Sequence, residues 1–151
     1  MRAIFSFCLV LILATVANAT TFQLSIYEIL NHLRPGEQFR VSGNDKDYSE
    51  IIWGESGTPK PTAQEMLDVE FAAAKVWRKA KVDTEAQDRI TAAYSLETQR
   101  YCAMGVYDAA TTQAIQDGIN AILADAVTAK AAIDAKVEPS STVAEVIAFT
   151  W

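Results

Sequence analysis

The stretch Thr58-Pro59-Lys60-Pro61-Thr62-Ala63-Gln64-Glu65 constrains the chain more than any other. Both prolines lack a backbone donor and hold φ near about −65°, and each disfavours helix in the residue before it, so the chain must reach Thr62 extended. Thr62 and Glu65 then have capping-box spacing: the hydroxyl can accept from the N–H of Glu65 while the carboxylate accepts from the N–H of Thr62. The spacing predicts a sharp boundary between a short mixed front and a long, alanine-rich helical back.

In the front, Ser25-Ile26-Tyr27-Glu28 repeats the capping-box spacing, and Ile26, Ile29, Leu30 and Leu33 share one face, which predicts a helix over 26–33. Arg34-Pro35-Gly36 stops it. Gln38 to Ser42 alternates apolar and polar residues as a half-buried strand does, with Phe39 and Val41 inward, and Ser49 to Gly54 supplies a second strand. Residues 20–61 therefore read as a small αββ module. Its hairpin is too small to stand alone and must lean on the helix after Thr62 or on another chain. The polar turn between the strands carries Asn44, Asp45, Asp47 and Glu50. It lacks the calcium-loop pattern, because Lys46 interrupts the carboxylates and no helix enters it directly, so a solvated turn is expected and no metal.

Behind the boundary, residues 62–137 read as a helical bundle. Met66, Val69 or Glu70, Ala73 and Trp77 recur every three or four residues, predicting a helix that ends near Ala80. Val82-Asp83-Thr84 offers a break and a new cap, after which Ile90, Ala93, Tyr94, Tyr101 and Met104 form a second apolar face up to Gly105. On this reading Lys75, Arg78, Lys79 and Lys81 form the cationic last turn of the first helix. Asp108 caps a third helix, whose Ile115, Ile119, Ile122, Ala126, Ala129 and Ile133 make a short heptad seam. The alanines add little apolar area, and Gly118 costs about 1 kcal/mol in a helix interior. A helical hairpin or three-helix bundle is therefore expected in preference to a coil between chains. Residues 138–151 form a tail with a third capping box, Thr142-x-x-Glu145, and a terminal Trp151 that should dock, on this bundle or on a neighbouring subunit. The fold class expected is α+β, mostly α.

The first residues carry a different message. Arg2, the apolar run from Ala3 to Val16 and Ala17-Asn18-Ala19 have the order of an export signal cleaved after Ala19, although an uncleaved anchor and an extension upstream of the true start are open readings of residues 1–19. The run is short of the roughly 20 apolar residues of a stable membrane span. With 13 basic against 19 acidic residues, net charge −6, nucleic acid is not an expected partner. Cys8 lies in the apolar run, leaving Cys102, a small hydrophobe by expectation, and the single histidine, His32, lies in another segment. No phosphate-binding glycine loop, nucleophile motif or multi-histidine zinc pattern is present, and the carboxylates are spread along helix faces, so neither enzyme activity nor a cofactor is expected. Trp53, Trp77 and Trp151, with Tyr48 and Tyr107, can line a carbohydrate or protein surface, with core or interface packing the expected use. The residues expected to make protein contacts are Trp53, Trp77 and Trp151 together with Ile115, Ile119, Ile122 and Ile133 of the seam.

Several of these features occur together in one family. Leu33-Arg34-Pro35-Gly36 before a strand, the Gly43-Asn44-Asp45 turn, Ile51-Ile52-Trp53, Pro59-Lys60-Pro61-Thr62-x-x-Glu65 and the ending Ser141-Thr142-Val143-Ala144-Glu145-Val146 with Trp151 resemble the small tail-associated and tail-fibre assembly proteins of tailed bacteriophages and prophages. The resemblance covers about residues 22–151. It implies a non-enzymatic virion component, often oligomeric, whose partners are other phage tail or fibre proteins, and it carries over no catalytic residue. The signal-like start departs from it, because virion parts assemble in the host cytoplasm. The alternative is therefore an exported periplasmic or secreted binding domain.

Overall fold

The computed structural model describes residues 20–54 and 57–151; the candidate export signal lies outside the described residues. The fold is α+β and mostly helical. Helix α1 (Ile26–Leu33) buries Ile26, Ile29 and Leu30 as the spacing predicts. Its expected capping box does not form: the Ser25 hydroxyl accepts from the Tyr27 N–H at 3.3 Å, and the Glu28 side chain is left for another surface. Strand β1 (Phe39–Val41) pairs antiparallel with β2 (Ile51–Trp53), in the register Phe39 opposite Trp53 and Val41 opposite Ile51. The second strand starts later than the alternation suggested. The Asp47 carboxylate accepts from the Ser49 N–H at 2.9 Å and turns Tyr48–Glu50 into a short 3-10 segment. The segment before α1 closes the module from below, with Phe22 N–H donating to Lys46 O at 2.8 Å and Ile26 N–H to Asp45 O at 2.6 Å.

Helix α2 (Ala63–Ala93) opens with the Thr62–Glu65 capping box and runs for 31 residues, about 46 Å at 1.5 Å per residue. The end expected near Ala80 and the break at Val82-Asp83-Thr84 are not there. Thr84 turns its hydroxyl back to Ala80 O at 3.2 Å instead of capping a new helix, and the buried stripe continues through Val82, Ala86 and Ile90. One face packed along its whole length outweighs a local capping preference. The basic cluster therefore sits in mid-helix rather than in a last turn.

The chain leaves α2 at Tyr94, where Ser95 caps the short helix α3 (Leu96–Ala103) and Gly105, at φ 69°, ends it. The apolar face expected to run from Ile90 to Met104 on one helix is thus split: Ile90 is buried on α2, and Met104 is exposed. Helix α4 (Ala109–Asp134) returns along α2, capped by Asp108 as predicted. Its direction follows from the contacts. Tyr94 meets Gly118, Asp83 meets Lys130 at 2.7 Å, and Lys79 meets Asp134 at 2.8 Å, so α2 and α4 are antiparallel. Lys75 Nζ donates to the carbonyls of Asp134 at 2.8 Å and Lys136 at 3.0 Å, giving the cation to the end of α4 rather than of its own helix. Helix α5 (Val143–Ile147), opened by the Thr142–Glu145 capping box, lays Val146 onto α2. One buried apolar cluster joins Phe22, Leu24, α1, Ile51, α2, α4 and Val146.

Gly118 has a specific reason to be glycine. A Cβ there would fall 1.8 Å from the Tyr94 hydroxyl and 2.7 Å from its ring, so the bare backbone admits the tyrosine that turns the chain out of α2. Gly118→Ala is expected to be neutral or destabilising despite a helix-propensity gain of about 1 kcal/mol. In a Tyr94→Ala background the same change should stabilise by about that amount. Chemical unfolding of the four proteins of this cycle measures the difference; additive effects would refute the close approach as the reason for the glycine.

Candidate functional site

The residues predicted to make contacts are not gathered on one surface. Trp53 stacks on Phe39, ring centres 6.2 Å apart, and donates its indole N–H to Thr58 O at 2.7 Å. Tyr48, nearby in the module, donates to Pro61 O at 2.8 Å and carries the Lys60 ammonium over its ring. Trp77 lies mid-way along α2, facing α1. Trp151 folds back on its own chain: its indole N–H donates to Glu85 at 2.6 Å, and the Arg89 guanidinium lies 3.8 Å from its ring centre and donates to its main-chain oxygen. Of the seam residues, Ala126, Ala129 and Ile133 are buried. Ile115, Ile119 and Ile122 are half-buried, and Tyr107 packs edge-on to Tyr101 near the start of the same helix.

Among the described residues two polar side chains are buried: Glu70, which falls on the periodic stripe of α2, and Arg78, expected in a cationic last turn. Glu70, 5% exposed, accepts the N–H groups of Gln23 at 2.6 Å and Leu24 at 2.8 Å through one oxygen, pinning the segment before α1 to α2. Arg78, 4% exposed, donates through Nε to Phe149 O at 2.7 Å and forms a two-pronged pair with Glu85, both bonds 3.0 Å. That pair, with the Trp151 indole behind it, holds the tail down. The Arg78 hydrogen bonds and then the Trp151 bond keep the Glu85 carboxyl below the ordinary range, against the opposing effect of burial. The i, i+7 spacing of Arg78 and Glu85, two turns apart on one face, was the available sequence signal; the assumed break at Val82 concealed it.

The chemistry of the ionisable groups is that of caps and ion pairs. Backbone N–H donors at helix starts lower Glu65, Asp108 and Glu145, the Ser49 backbone lowers Asp47, and the Lys79 hydrogen bond lowers Asp134. Burial raises Tyr48, helped by Glu65. Acid–base catalysis by two carboxyls needs their values driven apart, with one raised towards neutrality. Among the described residues the carboxyls that are displaced, Asp47, Glu65, Glu85, Asp108, Asp134 and Glu145, all move down. Cys102 is half-buried in α3, and His32 faces the groove between α1 and α2. Among the described residues no three histidine, cysteine or carboxylate side chains are placed to hold a metal ion, and no helix is long and apolar enough to cross a membrane.

Two surface features of the described residues bear on binding. One is the far end of the hairpin, where no residue of α3 is buried and Leu96, Met104 and Val106 are 68%, 62% and 60% exposed. The other is a groove of about 450 Å³ between α1 and α2, lined by Glu28, Asn31, His32, Trp77, Lys81 and Thr84 above a floor of small apolar side chains. Comparison with models of protein families, with curated proteins and with solved structures returns no match.

Proposed function

We propose that this chain is a bacteriophage tail-associated structural or assembly protein that acts through protein–protein contact and has no reaction of its own. The observation that carries the reading is the hairpin end. Leu96 at the start of α3, and Met104 and Val106 just beyond its end, leave three large apolar side chains in water around a helix with no buried residue to anchor it. A concentration of exposed apolar surface is stabilised when a partner covers it. Ile115 and Ile119, in the first turns of α4, are half-buried. The resemblance of the Pro59-Lys60-Pro61-Thr62 segment and of the ending supplies the class of partner, other tail or fibre proteins.

Purified tails of the phage or prophage encoding the chain should contain it. A Leu96→Glu, Met104→Glu, Val106→Glu variant should keep its unfolding free energy within about 0.5 kcal/mol, as surface changes do, and be lost from the tails. A chain absent from particles and from tail assembly intermediates would overturn the reading. The Ala17-Asn18-Ala19 motif favours a second one, an exported binding domain, and a native N-terminus at Thr20 would select it.

A further inference from the structure

We propose that the groove between α1 and α2 is a binding site for a neutral saccharide, with one sugar ring stacked on Trp77. The site is independent of the hairpin end and shares none of the residues invoked there.

Trp77 differs from the other two tryptophans. Trp53 and Trp151 spend their indole N–H groups on Thr58 O and Glu85, whereas the Trp77 N–H has no acceptor among the described residues. The polar side chains around it are uncommitted in the same way. Glu28 is not used in the cap that its position offers, and neither it, Asn31 nor His32 has a side-chain hydrogen-bond partner among the described residues. Lys81 holds its ammonium over the Trp77 ring at cation–π distance, 5.7 Å from the centre, and its flexible stem must swing aside for a sugar to stack on that face. Elsewhere on α2 the long polar side chains are paired, as with Lys75, Arg78, Lys79 and Glu85. A second hollow of about 210 Å³, lined by Gln23, Leu24, Ser25, Lys46 and Ile147, shares Glu28 and Trp77 with the first, so the indole borders both.

The ligand class follows from this lining. The main hollow has the size of small-molecule sites, about 300–1,000 Å³. An aromatic face carries negative charge density and attracts the polarised C–H groups of a pyranose ring. Around it stand a carboxylate and an amide oxygen that accept, an ammonium and an indole N–H that donate, and an amide and an imidazole that can do both. This mixture suits hydroxyl groups, each of which is donor and acceptor at once. In the main hollow Glu28 and Lys81 balance in charge, and Lys46 stands only in the second one. The apolar lining is the buried Ala73 with the exposed Val76 and Ala80, which together make a shallow apolar strip beside the indole.

The test uses the full chain, with neutral trisaccharides of glucose, mannose and N-acetylglucosamine as probes. The three indole N–H signals in a proton–nitrogen spectrum report on the tryptophans separately. At least one sugar should move the Trp77 signal to saturation while leaving those of Trp53 and Trp151 in place. Trp77→Ala should weaken that sugar's binding about tenfold or more, the loss of one good aromatic contact. Asn31→Ala, at an exposed position that cannot unfold the protein, should weaken it several-fold, which keeps the test valid if the tryptophan variant is unstable. No shift with any of the three sugars, a response unchanged in Asn31→Ala, or a Trp77 signal moved only by acidic sugars or by peptides would each overturn the proposal.

Discussion

Glu70→Ala is expected to lower the unfolding free energy by about 2–3 kcal/mol, because it strips the acceptor from the buried Leu24 N–H, at about 1–3 kcal/mol for a buried donor left unsatisfied, and from the part-buried Gln23 N–H, which water can partly satisfy. The carboxylate is 5% exposed, and one of its oxygens serves both Gln23 and Leu24, at 2.6 and 2.8 Å. The segment it holds carries Phe22 and Leu24 into the core and borrows Lys46 O for its next hydrogen bond, so releasing it also loosens the turn of the hairpin. Glu70→Gln separates geometry from charge. The amide keeps an acceptor oxygen in the same place, and only the charge-assisted part of the two bonds is lost, so a cost of about 1 kcal/mol is expected. Urea unfolding of the two variants measures the gap. Hydrogen exchange at the Gln23 and Leu24 amides should accelerate strongly in Glu70→Ala and only slightly in Glu70→Gln. Equal, small losses in both would mean that this carboxylate does not hold the front module to α2.

The same residue shows where sequence reading stops. Glu70 falls on the buried stripe of α2 at the expected period, yet a carboxylate on a helix reads as solvated unless its partners are known, and they lie 46 and 47 positions away. Features that close locally were legible: the Thr62 and Thr142 capping boxes, the Asp108 cap and the extent of α1 depend on residues a few positions apart, and β1 and β2 are neighbours along the chain joined by one polar turn. Features decided by packing were not. Val82-Asp83-Thr84 has the chemistry of a helix break, and only the burial of Val82, Ala86 and Ile90 against the rest of the fold carries α2 through it. Gly118 reads as a weakness in a helix until Tyr94 is placed beside it. The candidate groove was half visible: Trp77 reads as a core or interface aromatic, Glu28 as part of a cap that does not form and Lys81 as part of a cationic last turn, while Asn31 carries no pattern at all.

Glu85→Ala is expected to release the tail, at a cost of about 2–3 kcal/mol. Removing one partner of a fully buried ion pair costs about 3–5 kcal/mol, because the other charge is left without compensation. Arg78 meets that condition, with its side chain 5% exposed, but the Glu85 side chain is 42% exposed, so water can reach the space it vacates and part of the penalty is relieved. The substitution also takes the acceptor from the Trp151 indole, leaving Arg89 as the remaining hold on that residue. Phe149 stays tied through its carbonyl to Arg78, so the loss should be graded along the tail, greatest at Trp151 and least at Val146. Acid should do the same to the unmodified chain. The Glu85 carboxyl is held below its ordinary value of 4.5, so its contribution is complete above that pH and disappears as the pH falls through the lower, folded value. Asp134 and the capping carboxylates titrate in the same direction, so global stability will fall in this window whatever Glu85 does. The deciding readout is therefore local: the indole N–H signal of Trp151 should move towards that of a solvated tryptophan below pH 4.5 while the Trp53 signal, whose acceptor is a backbone carbonyl, holds until the fold is lost. In Glu85→Ala the Trp151 signal should already sit at the solvated position at neutral pH and show no acid transition of its own. A Trp151 signal indifferent both to acid and to the substitution would show that the tail is held by its apolar contacts alone, with the Arg78–Glu85 pair contributing nothing to its docking.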